Sequence, residues 1–153
     1  MSPTSALSAS WQGTVMQVYD GDTLKVKPRN ILRYPDKKRG VRIRLAEIDT
    51  PERGQPYANR AKRFTTRLTL GKKVTVEEKE WDRYGRMVAH IVLPDGKNLS
   101  QELLKSGHAW WNTKYSRDKA LQAMEKKAKN RRIGLWKDPT PVAPWIWKRY
   151  HRR

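Results

Sequence analysis

Apolar and polar residues alternate in five short stretches of this chain, and a period of two marks half-buried strands. The stretches are Thr14 to Val18, Thr23 to Lys27, Val41 to Ile48, Lys73 to Glu80 and Met87 to Leu93. In the third, Val41, Ile43 and Leu45 share one face, and Arg42 and Arg44 share the other. Asp20-Gly21, between the first two, is a hairpin signal. Pro94-Asp95-Gly96 ends the last strand in a turn.

Helical spacing fills the gaps. Tyr57 to Leu70 places Ala58, Ala61, Phe64 (or Thr65) and Leu68 along one stripe, closed by Gly71. Asn98 to Ser106 is a short helix closed by Gly107. Ser116 reads as the cap of a third, with Leu121, Met124 and Ala128 on its buried face. Gly134 and the stretch Pro139 to Pro144 end it. Five strands in the order β-β-β-α-β-β-α suit a five-stranded OB-type barrel with about three helices, an α+β architecture. The expected organisation is a flexible N-terminus over 1–10, the barrel domain over 11–138 and a basic Pro/Trp tail over 139–153. Trp11 and Trp136 are expected in the core or docked on it, and Trp145 and Trp147 to pin the tail to the body. Pro28 to Gly40 is a long cationic connection outside the core.

Length and charge narrow the classes. A chain of 153 residues is one domain by default and buries roughly 70% of its unfolded surface. With 34 Lys+Arg against 15 Asp+Glu, the formal charge is +19, so an acidic partner is expected, nucleic acid before anionic membrane. The absence of cysteine excludes disulfides, thiol catalysis and Cys-containing zinc sites. No apolar run is long enough for a membrane span, which excludes integral membrane association. Nothing points away from a monomer.

Against this basic background, the acids stand out. Asp20 and Asp22 flank Gly21, and Asp49 and Glu52 flank Thr50-Pro51. Each pair lies where a strand meets a turn. Carboxylates from two loops can converge on a hard cation, and one beside it can orient or deprotonate water. Arg44 stands on the strand leading into Asp49, and Arg86 closes the turn Asp82-Arg83-Tyr84-Gly85-Arg86. Guanidinium forks suit phosphate and the charge that grows at phosphorus. Each fragment alone reads as a common turn; their joint occurrence points to phosphodiester chemistry. Asp20 reads as a turn builder. His90, His108 and His151 lie far apart, without ligand spacing.

These motifs resemble the staphylococcal nuclease (thermonuclease) family. The resemblance is carried by Val18-Tyr19-Asp20-Gly21-Asp22-Thr23, Arg42 to Glu52, Asp82 to Arg86, Ser106-Gly107-His108-Ala109-Trp110 and Gly134-Leu135-Trp136. It implies an OB barrel that cuts DNA and RNA and leaves 3′-phosphates. It implies Asp22, Asp49 and the Thr50 carbonyl as ligands of Ca2+, with Mg2+ or Mn2+ as alternatives. It implies Glu52 as general base or organiser of the attacking water, and Arg44 and Arg86 as phosphate-binding arginines. Arg83, Tyr84 and Tyr115 lie where the family contacts the nucleotide. A tyrosine of the family near Thr113 is missing, and Trp110 or Trp111 is the candidate replacement for its ring. The Pro28 to Gly40 connection is longer and more basic than in the namesake and is a candidate extra wall of the cleft or a grip on the nucleic-acid backbone.

The expected function is therefore a calcium-dependent, sugar-nonspecific endonuclease. The alternative is a noncatalytic nucleic-acid-binding module on the same barrel. Met1 to Ser10 lacks the basic start and apolar stretch of a secretory signal. A secreted or periplasmic location is expected if a signal has been removed, because such an activity endangers its host; otherwise the location is cytoplasmic.

Overall fold

The computed structural model of the chain describes residues 9–151. Five strands close a barrel: β1 (Ser10–Asp20), β2 (Thr23–Pro28), β3 (Val41–Leu45), β5 (Lys73–Trp81) and β6 (Met87–Val92). Their order around it is β1-β2-β3-β6-β5. Only the β3–β6 pair is parallel; the others are antiparallel. A separate two-stranded sheet pairs β4 (Ile48–Asp49) with β7 (Trp110–Trp111). The helices are α1 (Ala58–Thr69), α2 (Leu99–Lys105), α3 (Lys119–Asn130) and α4 (Pro144–Tyr150), with a 3-10 turn over Gly134–Lys137. This is the OB-type barrel with helices that the alternation implies, and no helix among the described residues is long and apolar enough to cross a membrane.

The strand pattern works as expected. Val41, Ile43 and Leu45 are buried inside the barrel, while Arg42 is exposed and Arg44 half-buried on the other face. Val15, Leu24, Val26, Val76, Ala89 and Ile91 complete the interior from the remaining strands. Leu99, Leu103 and Leu104 of α2 and Leu121 of α3 cover one end of it. Buried apolar area of this kind is the main force holding the chain closed.

Two boundaries differ from the sequence reading. The run Val41 to Ile48 is not one strand: Glu47 takes a left-handed φ of 70°, which turns the chain between β3 and β4. That turn moves Asp49 off the barrel and onto the small sheet. The third helix is capped by Asp118, whose side chain accepts from Ala120 N, rather than by Ser116. Ser116 Oγ is drawn inward, where it accepts from Trp111 Nε1 at 2.9 Å and donates to Glu47 at 3.1 Å.

The two segments set apart from the core are both fastened. Pro28 to Gly40 folds back on β5, with Arg33 and Tyr34 both bonded to Glu78, which also accepts from Trp11 Nε1 at 2.7 Å. Burial, then the hydrogen bond to Glu78 and its charge, push the Tyr34 hydroxyl up to about 12. The Pro-rich tail starts α4 at Pro144, a first-turn position where a missing N–H costs nothing. Trp145 meets Trp110 edge-on at 5.8 Å, and Gln55 Nε2 donates to Val142 O at 2.6 Å, so the tail is pinned as its tryptophans suggest. Trp11 and Trp136 are buried, also as expected.

Candidate active site

The site begins at the β1–β2 hairpin. Gly21 sits so close to Thr50 and Ala61 that a Cβ there would lie 2.8 Å from the threonine methyl. Only glycine allows this approach. Thr65 of α1 fixes the turn by donating to Gly21 O at 2.6 Å. Asp22 follows, buried, and its Oδ2 accepts the backbone N–H of Thr50 at 2.9 Å. Thr23 Oγ1 donates to its Oδ1 at 3.0 Å. Asp22 is therefore aimed at the loop that carries Asp49, Thr50 and Glu52.

Arg44 joins the two loops. Its Nη1 donates to the carbonyls of Leu45 at 2.8 Å and Ile48 at 2.9 Å, closing the β3–β4 turn. Its Nη2 pairs with Asp49 Oδ1 and lies 3.6 Å from Asp22 Oδ2. Burial alone would lower its pKa, but the charges of Asp22 and Asp49 outweigh this and raise it. The other Asp49 oxygen accepts from Asn112 Nδ2 at 2.7 Å. Asn112 is a site residue the sequence reading missed. It follows β7, 63 positions from Asp49, and the only local hint was its proximity to the Trp110-Trp111 motif.

The acids crowd one another. Burial raises the pKa of Asp49, Arg44 opposes it, and Asp22 adds to the rise. Glu52 is raised first by burial, then by Asp22; Lys148 pulls back, and Asp20 and Asp49 push further up. Asp20 is raised by burial and by Asp22. Burial leads in all three, and in each a neighbouring carboxylate adds to the rise.

A divalent cation suits carboxylates gathered this closely. The available donors are all oxygen: Asp22, Asp49, the Thr50 carbonyl and Thr50 Oγ1, which is buried without a hydrogen-bond partner. Hard cations take such ligands, carbonyls included. Among the described residues no group of three or more His, Cys, Asp or Glu side chains is gathered as a metal site. The set fits a cation held by two carboxylates plus neutral oxygens and water, and does not fit a zinc-type cage.

A cleft of about 700 Å³ opens beside this nexus. Arg44 and Asp49 form its inner end, and Arg86, Arg83, Tyr84, Lys114 and Tyr115 line its walls. The turn carrying Arg86 is built by Asp82, whose Oδ1 accepts the N–H of Tyr84 and of Arg86, each at 2.9 Å. Its Oδ2 accepts from Arg86 Nε at 2.7 Å. Burial would raise the Asp82 pKa, yet these bonds bring it below the usual carboxylate range. Tyr84 is 64% exposed, with Arg83 and Arg86 over its ring at 5.2 and 5.5 Å, and Tyr115 is 72% exposed, with Lys114 over its ring at 5.3 Å. Glu52 does not line this cleft. It opens into a neighbouring cavity with Asp20, Arg53, Trp147 and Lys148.

Two sequence expectations fail here. Trp111 is buried, and Trp110 packs on Trp136 at 4.5 Å, so neither replaces a stacking tyrosine. The Pro28 to Gly40 connection lies against Trp11, Trp81 and Glu78, and none of its residues lines the cleft.

A pair of carboxylates, Asp22 buried and Asp49 half-buried, bridged by one arginine on a five-stranded barrel, defines the class of protein. Residues 42–138 match the family model described as "Staphylococcal nuclease homologue", and the chain belongs to that family. It is 40% identical over 147 residues to an Escherichia coli O157:H7 protein named "Uncharacterized endonuclease", covering 96% of this chain and 90% of the relative. It is 36% identical over 151 residues to a Shigella flexneri protein named "Micrococcal nuclease", covering 92% of this chain and 82% of the relative. A longer Arabidopsis thaliana protein, "Staphylococcal-like nuclease CAN1", matches over 111 residues at 37% identity, 72% of this chain and 34% of the relative.

Proposed function

We propose that this protein is an endonuclease that hydrolyses phosphodiester bonds of DNA and RNA with the help of Ca2+, leaving 3′-phosphates. The observation that carries the reading is the convergence of Asp22, Arg44 and Asp49 at the head of a cleft that also holds Arg86. The family membership and the names of its relatives support it.

The chain's own groups divide the work. Arg44 and Arg86 face the same cleft and can take a phosphate between them. Glu52, with its pKa raised, suits the acceptance of a proton from water near neutral pH. Water oxygen bonds to phosphorus and its proton goes to Glu52; the P–O5′ bond breaks with its electron pair on O5′, which takes a proton from solvent and leaves as a 5′-hydroxyl, so the phosphate stays on the 3′ side. Negative charge growing on the equatorial oxygens is taken up by the arginines. A divalent cation on Asp22, Asp49 and the Thr50 carbonyl would supply charge neutralisation and orientation of the phosphate. Tyr84 and Tyr115 present rings that accept any base, which suits a lack of sequence and sugar preference. The +19 chain steers polyanions to the cleft. Secretion or export to the periplasm keeps such an activity away from the host's own nucleic acid.

The test is degradation of plasmid DNA and a long RNA with calcium, magnesium or chelator, beside Glu52→Ala. The expected result is calcium-dependent cutting of both, with 3′-phosphate ends, reduced about 10²–10⁴-fold in Glu52→Ala. Salt-sensitive gel retardation without cutting under any metal would replace the enzyme with a binding module.

A further inference from the structure

The cavity that holds Glu52 has a volume of about 610 Å³ and shares no lining residue with the tyrosine-lined cleft. Asp49 lines the cleft and Glu52 lines this cavity, three residues apart on one loop. Its chemistry is that of a nucleotide site. Arg53 and Lys148 supply cations, both on exposed side chains. Trp147 on α4 and His151, which caps its C-terminus, supply planar rings already stacked at 3.6 Å and 6°. His151 Nδ1 lies 3.0 Å from Trp147 O, which holds the pair together.

The wall is built rather than draped. Ala143 and Pro144 are buried at the start of α4. Gln55 ties the tail to the catalytic loop, with Nε2 donating to Val142 O and Oε1 accepting the N–H of Glu52 at 2.8 Å. Trp147 also closes a small apolar cavity against Pro51 and Tyr57. The stacked rings are thus held at a fixed distance from Glu52. Aromatic rings interleaved with cations along a groove are how proteins hold single strands without reading sequence.

We propose that this second cavity binds a nucleotide of the same strand that occupies the tyrosine-lined cleft, on the other side of the phosphate under attack. Its base stacks on the Trp147–His151 pair, and its phosphate meets Lys148 and Arg53. The inference rests on the nuclease reading for the placement of the scissile phosphate. It adds a subsite on α4, and it makes the substrate a strand that crosses the Asp49–Glu52 loop rather than one ending there.

The experiment uses the full chain in chelator, with single-stranded oligonucleotides of two and six nucleotides carrying 5-iodouracil at one end. Affinity is read by anisotropy and contact by photocrosslinking with peptide mapping. The expected result is a crosslink to Trp147 or His151 from one end of the six-nucleotide strand. Arg53→Ala with Lys148→Ala should weaken that strand about tenfold and lower its salt slope by about 0.7, the share of the one phosphate they meet. His151→Ala should weaken the long strand and spare the two-nucleotide one. Trp147→Ala risks unpacking the tail, so the exposed His151, Lys148 and Arg53 carry the test. No crosslink to α4, together with unchanged affinity in these variants, overturns the subsite. Cutting with calcium in a separate assay keeps the two readings apart: cutting without the crosslink removes the subsite alone, and the crosslink without cutting supports the subsite and removes the nuclease.

Discussion

Asn112 donates to Asp49 Oδ2 at 2.7 Å, while Arg44 engages Oδ1 of the same carboxylate. Asp49 is therefore held at both oxygens, by one group five residues away and by another 63 residues away. The pairing of β4 with β7 makes this possible by setting Asp49 opposite Trp110, and Asn112 N donates to Glu47 O at 3.0 Å. Groups that orient a metal-binding carboxylate typically matter 10–100-fold for metal affinity. We predict that Asn112→Leu lowers calcium affinity by about that factor while the barrel stays folded. Calorimetric titration with calcium, beside the thermal melting curve, checks it. Unchanged calcium binding in a folded variant would show that Asn112 only braces the β7 turn.

Arg86 is held differently from Arg44. Its Nε is committed to Asp82, and among the described residues no acceptor engages its Nη atoms. Those atoms can meet an anion without first breaking a pair. Arg86→Lys keeps the charge and loses the fork. The expected loss is about 10²–10³-fold in kcat with a smaller change in KM, the mark of a group that acts on the transition state. Asp82→Asn should fall between this variant and the native protein, because it loosens the guanidinium without removing it. A rise in KM with kcat unchanged would make Arg86 a ground-state phosphate contact instead.

Much of this was legible along the chain, and the exceptions share a cause. Alternation located the strands because burial on one face of a barrel enforces period two, as Val41, Ile43 and Leu45 show. The acids and arginines were visible because each lies at a strand end in a local motif. What local pattern could not show was long-range pairing. Ile48 continues the alternation of β3, yet the chain has already turned at Glu47. Ser116 and Asp118 are equally good cap residues, and Trp111 decides between them by drawing Ser116 inward. Asn112 and α4 reach the site only through long-range contacts, 63 positions apart for Asn112 and Asp49 and 87 apart for Gln55 and Val142.

Gln55 is the hinge between loop and tail. It accepts the N–H of Glu52 and donates to Val142 O, so one side chain fixes both. Gln55→Ala should lower kcat about tenfold, an order-of-magnitude figure for misplacing a general base. It should also speed hydrogen exchange at the α4 amides of Ile146 and Trp147, both bonded to Ala143 O. Gln55→Glu separates the roles: an acceptor for Glu52 N remains, and the donor to Val142 is lost. That variant should free the tail and keep more of the turnover. Equal loss in both variants would mean that the loop depends on the tail for its position.

His108 gives the fold a pH dependence outside the reaction site. Its Nδ1 is buried without a partner, and its ring lies 4.6 Å from that of Phe64. Burial, then Arg67 and Arg60, push its pKa down to about 4 from an ordinary 6.5. Between those values the unfolded chain binds a proton that the folded one refuses, so stability falls as pH drops through that window. Above 6.5 the imidazole is neutral in both states and contributes no slope. Asp20, Asp49 and Glu52 act in the opposite sense, since raised carboxyl pKa values make the folded state the better proton acceptor. The native curve therefore mixes both, and the difference between native protein and His108→Phe isolates the histidine. Phenylalanine keeps a ring against Phe64 and titrates nowhere. Urea midpoints measured from pH 7.5 down to pH 4 should show the variant gaining on the native protein below 6.5, with the gap constant above it. A gap that stays constant across the whole range would mean that His108 is protonated in the folded state as readily as in the unfolded one.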